Sequence, residues 1–259
     1  YYNQKCSLAQ AFDININNKG VRALNKPTLV LNKSEVVHGA NIVDEIKQVT
    51  GHDKVLVIQP FGRTTESVGS FIIDPTSRSF QLNNIVDIIN ILKKEYGIIV
   101  MSEIQIPLEE NDSNKHPVAQ PEIQDIRAWA GIIECADHFM GCDSLGQHIA
   151  KALDKTATIV TGSTYPVNIS YNDDPKFDII DIGDGKRVYS PIRLTMEEQQ
   201  DRMNDETMEM TELQINQVCD SVRAVLGKKS TKKTTFQPLN QTKLIPGNSA
   251  IKLPVKEKK

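Results

Sequence analysis

The sequence predicts an α/β protein on a doubly wound, mostly parallel sheet, and three observations carry that expectation. Short apolar runs rich in β-branched residues, "KVLVIQP" (54–60), "IIVM" (98–101), "HFMG" (138–141) and "ATIVTG" (157–162), alternate with segments of helical periodicity. The chain between successive runs is long enough to hold a crossover helix, which parallel pairing requires. Finally, 259 residues, 39% of them hydrophobic and 24% charged, can cover both faces of such a sheet.

Taken in order, residues 1–53 read as a linker that ends in a helix. Ser34 is the expected N-cap, Val36, Val37, Ala40, Ile42, Val43, Ile46 and Val49 make the apolar face, and Gly51 stops it. The main domain is expected over 54–194. Its first strand, 54–60, is followed by a polar loop with Gly62, Thr64, Thr65, Gly69, Asp74 and Pro75. An amphipathic helix over 79–97 places Leu82, Ile85, Ile88, Ile89 and Leu92 inward, with Gly97 as C-cap. After strand 98–101, a Pro- and Asn-rich loop leads to a helix over 122–136 in which Trp129 is a core residue. Strand 138–141, helix 144–153 and strand 157–162 complete the alternation. "KFDIIDIGDGKRVYSP" (176–191) reads as a hairpin with Gly-Asp-Gly at its turn. Residues 195–227 read as one long helix capped by Thr195, with a packed Met face and an acidic solvated one.

The net charge of −3 conceals an asymmetry. Residues 228–259 hold nine lysines against Glu257, a net of +8, which leaves −11 on the rest. With Pro238, Pro246 and Pro254, that segment has the composition of an extended basic arm. A protein partner that orders the arm is one expectation. Nucleic acid is another, through the lysine charges, although the arm has no arginine and only Phe236 for base stacking. Cys6, Cys135, Cys142 and Cys219 form no C-x-x-C pair and no metal-ligand pattern, so reduced, buried thiols are expected and no metal. No run approaches the ~18 apolar residues of a membrane span. No signal segment opens the chain. The expectation is a soluble, cytoplasmic protein.

The bend "GCDSLGQH" (141–148) is the candidate site. In open α/β sheets ligands collect outside the carboxyl ends of the strands. A loop entering a helix there directs free N–H groups and the positive end of the dipole outward, which suits phosphate. Ser144 is placed to cap the helix near Leu145 and to donate to a ligand, and Gly146 to let a ligand approach the backbone. Asp143 suits sugar hydroxyls, and His148 lies one turn in. On spacing alone the same residues also read as an ordinary helix cap beside a surface histidine.

The stretch "ADHFMGCDSLGQHIAKALDKTATIVTGSTYP" resembles the donor-binding segment of the ADP-heptose:lipopolysaccharide heptosyltransferases, glycosyltransferase family nine. Asp143, Ser144 and His148 stand on the family's Asp, Ser/Thr and His, and Gly162, Thr164 and Pro166 on its closing Gly, Thr and Pro. Leu145 occupies the family's Gly, with Gly146 one place later, and Ser163 replaces a Pro. Upstream, "KVLVIQPFGRTT" and "PTSRSFQLNNIVDII" are similar to the family's phosphate loop and its basic residue before a helix. That match puts Thr64 and Thr65 on donor phosphate and Arg78 on the diphosphate, with Phe80 in place of a Trp. Glu103 stands at an acidic nucleoside contact.

The resemblance implies the C-terminal, Rossmann-like half of a GT-B glycosyltransferase, with a nucleotide-diphosphate sugar as donor substrate and no cofactor or metal. It implies inverting transfer by a base on an acceptor domain. The residues before 54 hold almost none of that domain. Asp13 and Glu35 are acids without a supporting motif, so no catalytic base is assigned. The acceptor half is expected from further chain or from another protein. The alternative expectation is a catalytically inactive GT-B-like structural or interaction module, anchored in a larger assembly by the basic arm.

Overall fold

The computed structural model describes residues 4–68, 71–108, 116–187 and 206–227. Helices α1 (Leu8–Asn17) and α2 (Lys33–Thr50) lead into strand β1 (Val55–Gln59). A small antiparallel ribbon, β2 (Glu66–Val68) and β3 (Phe71–Ile73), precedes α3 (Leu82–Leu92). Next come β4 (Gly97–Val100), β5 (Val118–Ala119), α4 (Ile126–Cys135) and β6 (His138–Cys142). The chain continues through α5 (Leu145–Ala152), β7 (Ala157–Thr161), the single turn α6 (Pro166–Ile169), β8 (Phe177–Asp181) and α7 (Glu212–Leu226).

The six-stranded sheet runs β5-β4-β1-β6-β7-β8, with every pairing parallel. Counted along the chain this is the doubly wound order 3-2-1-4-5-6, and it reverses between β1 and β6. Each face of the sheet carries its own apolar layer, as β1 illustrates. Leu56 and Ile58 pack with Ile85, Ile89, Val218 and Val222 of α3 and α7. Val55 and Val57 pack on the other face with Ile42, Ile46, Ile132 and Ile149 of α2, α4 and α5. Burial on both faces is why the β1 run is apolar throughout rather than alternating.

Helix α2 belongs to this packing. The place where a Cβ would sit on Gly39 is 2.1 Å from the Gly131 carbonyl oxygen, and that of Gly131 is 2.2 Å from the Glu35 carbonyl oxygen. Backbone meets backbone at the α2–α4 crossing, and only glycine permits it.

Several boundaries differ from the sequence expectation for identifiable reasons. Asn32, not Ser34, caps α2, in a reciprocal box with Glu35. Gly97 is not the cap of α3, which ends at Leu92 with Lys93 after it. Gly97 opens β4, where a Cβ would lie 2.7 Å from Ile46 Cγ2. The 176–181 segment pairs parallel with β7 rather than forming the first arm of a hairpin, and 188–191 lie outside the described residues. Helix α7 starts only at Glu212, capped by Thr211. Met208 and Met210 are buried in the turn and extended segment before it, not on a helix face. The proposed cap Thr195 and the arm 228–259 lie outside the described residues. The cysteines are free, and Trp129 is buried, both as expected. No helix among the described residues is long and apolar enough to cross a membrane.

Candidate functional site

Three loops meet at the carboxyl ends of β1, β6 and β7, where the strand order reverses. The segment after β1 leaves through Pro60–Thr65, makes the β2–β3 ribbon, and returns: the Phe80 amide donates to the Pro60 carbonyl at 2.9 Å. Its return limb is shaped by Asp74. Asp74 Oδ1 accepts from the Thr76 amide (2.8 Å), the Thr76 hydroxyl (2.6 Å) and Thr64 Oγ1 (3.3 Å). Oδ2 accepts from the Ser79 amide (2.9 Å), the Ser79 hydroxyl (2.6 Å) and the Arg78 amide (3.1 Å). Burial pushes this carboxyl's pKa up, but the donors of Ser79 and Thr76 outweigh it and hold the pKa below its ordinary value. Ser79 Oγ also accepts from the Gly62 amide (2.9 Å) and lies 2.7 Å from Thr65 Oγ1. Thr64 and Thr65 are therefore tied into the loop's own network.

Arg78 connects this limb to the bend. Its Nε donates to Thr76 Oγ1 at 2.9 Å, and Nη1 lies 3.9 Å from Asp143 Oδ2. Asp143 is 2% exposed, and its Oδ1 accepts from Gln147 Nε2 at 2.6 Å, while Oδ2 has no hydrogen-bond partner. Burial raises its pKa, opposed by the charges of Arg78 and His148 and by the neighbouring Thr164 hydroxyl and Gln147 amide. His148 accepts or donates through Nδ1 to Tyr171 Oη at 2.8 Å, with the two rings edge to face. Burial lowers the His148 pKa, while Asp143 works against that. The Tyr171 phenol is pushed up to about 12 by burial and by the Asp143 charge, so it remains protonated. From the β7 side, Ser163 Oγ donates to the Thr76 carbonyl at 2.9 Å, and Thr164 is buried beside Asp143.

The amino end of α5 is built differently from the sequence expectation. Ser144 has the backbone of an N-cap, but its side chain does not cap. Instead Gln59, the last residue of β1, reaches across the sheet's switch point. Its Oε1 accepts from the Gly146 amide at 2.7 Å, and its Nε2 donates to Ser144 Oγ at 3.1 Å and to the Phe61 carbonyl at 3.3 Å. A Cβ on Gly146 would lie 2.4 Å from Phe139 Cζ and 2.6 Å from Gln59 Oε1. Gly146 thus accommodates neighbours from β6 and β1. Leu145 is exposed beside it.

The structure brings together Arg78, Asp143, Ser144, Gly146, His148 and Thr164, with Thr64 and Thr65 on the adjoining loop. Glu103 sits exposed on the loop after β4, whose path is held by Gln120 Nε2 donating to the Ser102 and Ile104 carbonyls at 2.9 and 2.7 Å. It shares the sheet edge with the cluster but not its hydrogen bonds. Gly162 packs inward: its carbonyl accepts from Arg187 Nε at 2.7 Å, and its missing Cβ would meet Met208 Sδ at 2.5 Å. Phe80 is buried in the core. Of the two unassigned acids, Asp13 pairs with Arg22 and Asn17, which hold its pKa down to about 2, and Glu35 caps α2 and pairs with Arg127. Neither is poised as a base near neutral pH. No cluster of metal-ligating side chains occurs among the described residues.

Beside the cluster, a cleft of about 810 Å³ opens at the amino end of α3, lined by Ile72, Asp74, Phe80, Asp87, Pro107 and Met208 among others. Sequence reasoning missed Gln59, Asp74, Gln147 and Tyr171. Two of them carried a signal: Gln59 is the one polar residue in an apolar strand, and Asp74-Pro-Thr is an Asx-turn sequence.

A scan against protein-family models and a search of curated proteins return no match. Among solved structures, the chain is similar in fold to the glycosyl transferase family 9 protein from Veillonella parvula DSM 2008, with a TM-score of 0.53 and 9% identity, over 84% of this chain and 60% of that one. E. coli ADP-heptose lps heptosyltransferase II aligns with a TM-score of 0.45 and 13% identity, over 78% and 56%. E. coli heptosyltransferase WaaC with ADP aligns with a TM-score of 0.36 and 15% identity, over 60% and 45%. The chain spans 60% or less of the length of each of these proteins. Its fold is a Rossmann-like α/β fold similar to that of the Veillonella glycosyl transferase.

Proposed function

We propose that this chain is the nucleotide-sugar-binding part of a heptosyltransferase-like glycosyltransferase, with the donor in the crevice between the β1 and β6 loops. The carrying observation is the Arg78–Asp143 pair. A three-quarters buried guanidinium faces an otherwise unsatisfied carboxylate oxygen at the point where the strand order reverses. A planar cation there suits a diphosphate through two parallel hydrogen bonds. Asp143 would accept from a sugar hydroxyl, and His148 would offer a ring nitrogen to a sugar or phosphate oxygen. The adjoining cleft has acids on its wall, Asp74, Asp87 and Glu206, so it suits hydroxyl-bearing or apolar groups and disfavours the diphosphate.

In transfer, Arg78 and the amino end of α5 would stabilise the negative charge that grows on the leaving diphosphate. The base that activates the acceptor hydroxyl would come from an acceptor domain, so inverting, metal-independent transfer depends on that domain. The test is calorimetric titration of the folded chain with ADP, GDP, UDP and CDP, and with the matching free nucleosides. Binding of at least one diphosphate is expected. Arg78→Ala should weaken it by about 10- to 100-fold, the range of a charge-assisted hydrogen-bond pair, with much less effect on the nucleoside.

A second reading, a non-catalytic structural or interaction module on the same fold, is favoured by a different observation. Asp74 already takes the Thr64 hydroxyl and, through Ser79, the Thr65 hydroxyl that the resemblance assigns to phosphate. Absence of binding to every nucleotide by a folded sample would favour this reading.

A further inference from the structure

The side chain of Gln59 occupies the position at the amino end of α5 that an anionic ligand would take. We propose that Gln59 is an internal plug of the donor site, displaced when a diphosphate binds, and that it sets the affinity for that group. The inference rests on the nucleotide-binding reading above.

Gln59 is 7% exposed and belongs to β1, so its backbone is fixed by parallel pairing on both sides. Its amide end crosses from β1 to the β6–α5 bend and satisfies both sides of that bend at once. The oxygen takes the Gly146 N–H at 2.7 Å, and the nitrogen donates to Ser144 Oγ at 3.1 Å. A helix's first N–H groups have no intrahelical partner, and an anion or a cap must supply one. Here a neutral side chain supplies it, although Ser144 stands at the capping position. Immediately beside it, the buried Oδ2 of Asp143 accepts no hydrogen bond, with Thr164 alongside and the guanidinium of Arg78 at 3.9 Å. The bend therefore holds a satisfied donor on one side and an unsatisfied charged pair on the other. A diphosphate that engaged Arg78 and took the Gly146 N–H would have to break the Gln59–Gly146 bond.

The plug makes a prediction opposite in sign to that for an ordinary binding residue. Removing Gln59 should strengthen diphosphate binding and leave the nucleoside alone. Calorimetric titrations with ADP and with adenosine would be run on wild type, Gln59→Ala and Gln59→Asn, with thermal unfolding by circular dichroism as the check on folding. Asn keeps the amide but is one methylene too short to reach Gly146, so it serves if Ala proves too disruptive. The expected result is ADP affinity raised by about tenfold in either folded variant, the equivalent of one competing hydrogen bond, with adenosine affinity unchanged. ADP binding that appears only in the variants would also support the plug. Equal or weaker ADP binding in the variants, with wild type binding, would overturn the plug and leave the nucleotide reading standing. No binding of ADP, GDP, UDP or CDP by any of the three proteins would overturn both.

Discussion

Asp74 shows how a single carboxylate can organise a site it does not enter. Its six accepted hydrogen bonds bring Thr64, Thr76, Arg78 and Ser79 into one turn and aim the Arg78 side chain at the β6 bend. Asp74→Ala leaves the amides of Thr76, Arg78 and Ser79 without their acceptor. It should lower unfolding free energy by about 3 kcal/mol in urea titrations, the scale of charged hydrogen bonds lost inside a protein. Because the folded pKa lies below the unfolded one, this carboxylate's contribution is complete above the unfolded value and fades as pH falls through the folded value. Tyr171 holds His148 in a comparable way: its protonated phenol pairs with ring Nδ1 at 2.8 Å and packs edge to face on the ring. These partners were not legible in the sequence. Asp143, Ser144 and His148 could be picked out because chemistry at a strand's carboxyl end calls for those residue types, and Arg78 only through the family resemblance. The side chains that hold them depend on which loops meet, and spacing along one chain does not reveal that.

At the level of elements, two contacts determine how layers sit on the sheet. The α2–α4 crossing has no room for a side chain at Gly39 or Gly131. Gly39→Ala gains helix propensity but drives a methyl into the Gly131 carbonyl, so a net loss of about 2 kcal/mol is expected by chemical denaturation. On the opposite layer, a buried polar chain joins β6, β7 and α7. His138 lies between Thr156 Oγ1 (2.8 Å) and Thr158 Oγ1 (3.0 Å), and Thr158 meets Ser221 Oγ at 2.8 Å. Burial lowers the His138 pKa to about 4. The unfolded chain, near 6.5, takes up the proton first as pH falls. Stability from this group is therefore full above pH ~6.5 and declines towards pH ~4, by roughly 3 kcal/mol in total. Urea midpoints measured for wild type and His138→Gln across that window should converge on acidification. Parallel midpoints would contradict the assignment. Strands β1, β4, β6 and β7 were readable to within a residue or two, because a sheet covered on both faces demands unbroken apolar runs, whereas β2, β3 and the two-residue β5 fall in stretches that read as loops. Ends were less readable: Gly97 looks like a helix cap in sequence, yet its lack of a side chain is needed for the approach of α2. The 176–181 run looks like a hairpin arm because its parallel neighbour lies beyond a crossover.

For the whole molecule, the 3-2-1-4-5-6 order concentrates three loops at one edge of the sheet and leaves the opposite edge to structural contacts such as the His138 chain. The chain covers 84% of its own length but only 60% of the Veillonella glycosyl transferase on alignment. On the proposed function, donor recognition would lie with the residues described, while group transfer would need an acceptor-binding surface besides. Neither Asp13 nor Glu35, both held in ion pairs, is suited to serve as its base. The central claim is that the carboxyl edge at the switch point binds a nucleoside diphosphate. Its most direct test is an amide chemical-shift titration of the isotope-labelled chain with ADP. Saturable shifts are expected at Gly62, Thr65, Arg78, Ser144, Gly146 and His148, with the amides around His138 and Ser221 unmoved. No saturable shift, or shifts confined to the α7 face of the sheet, would contradict it.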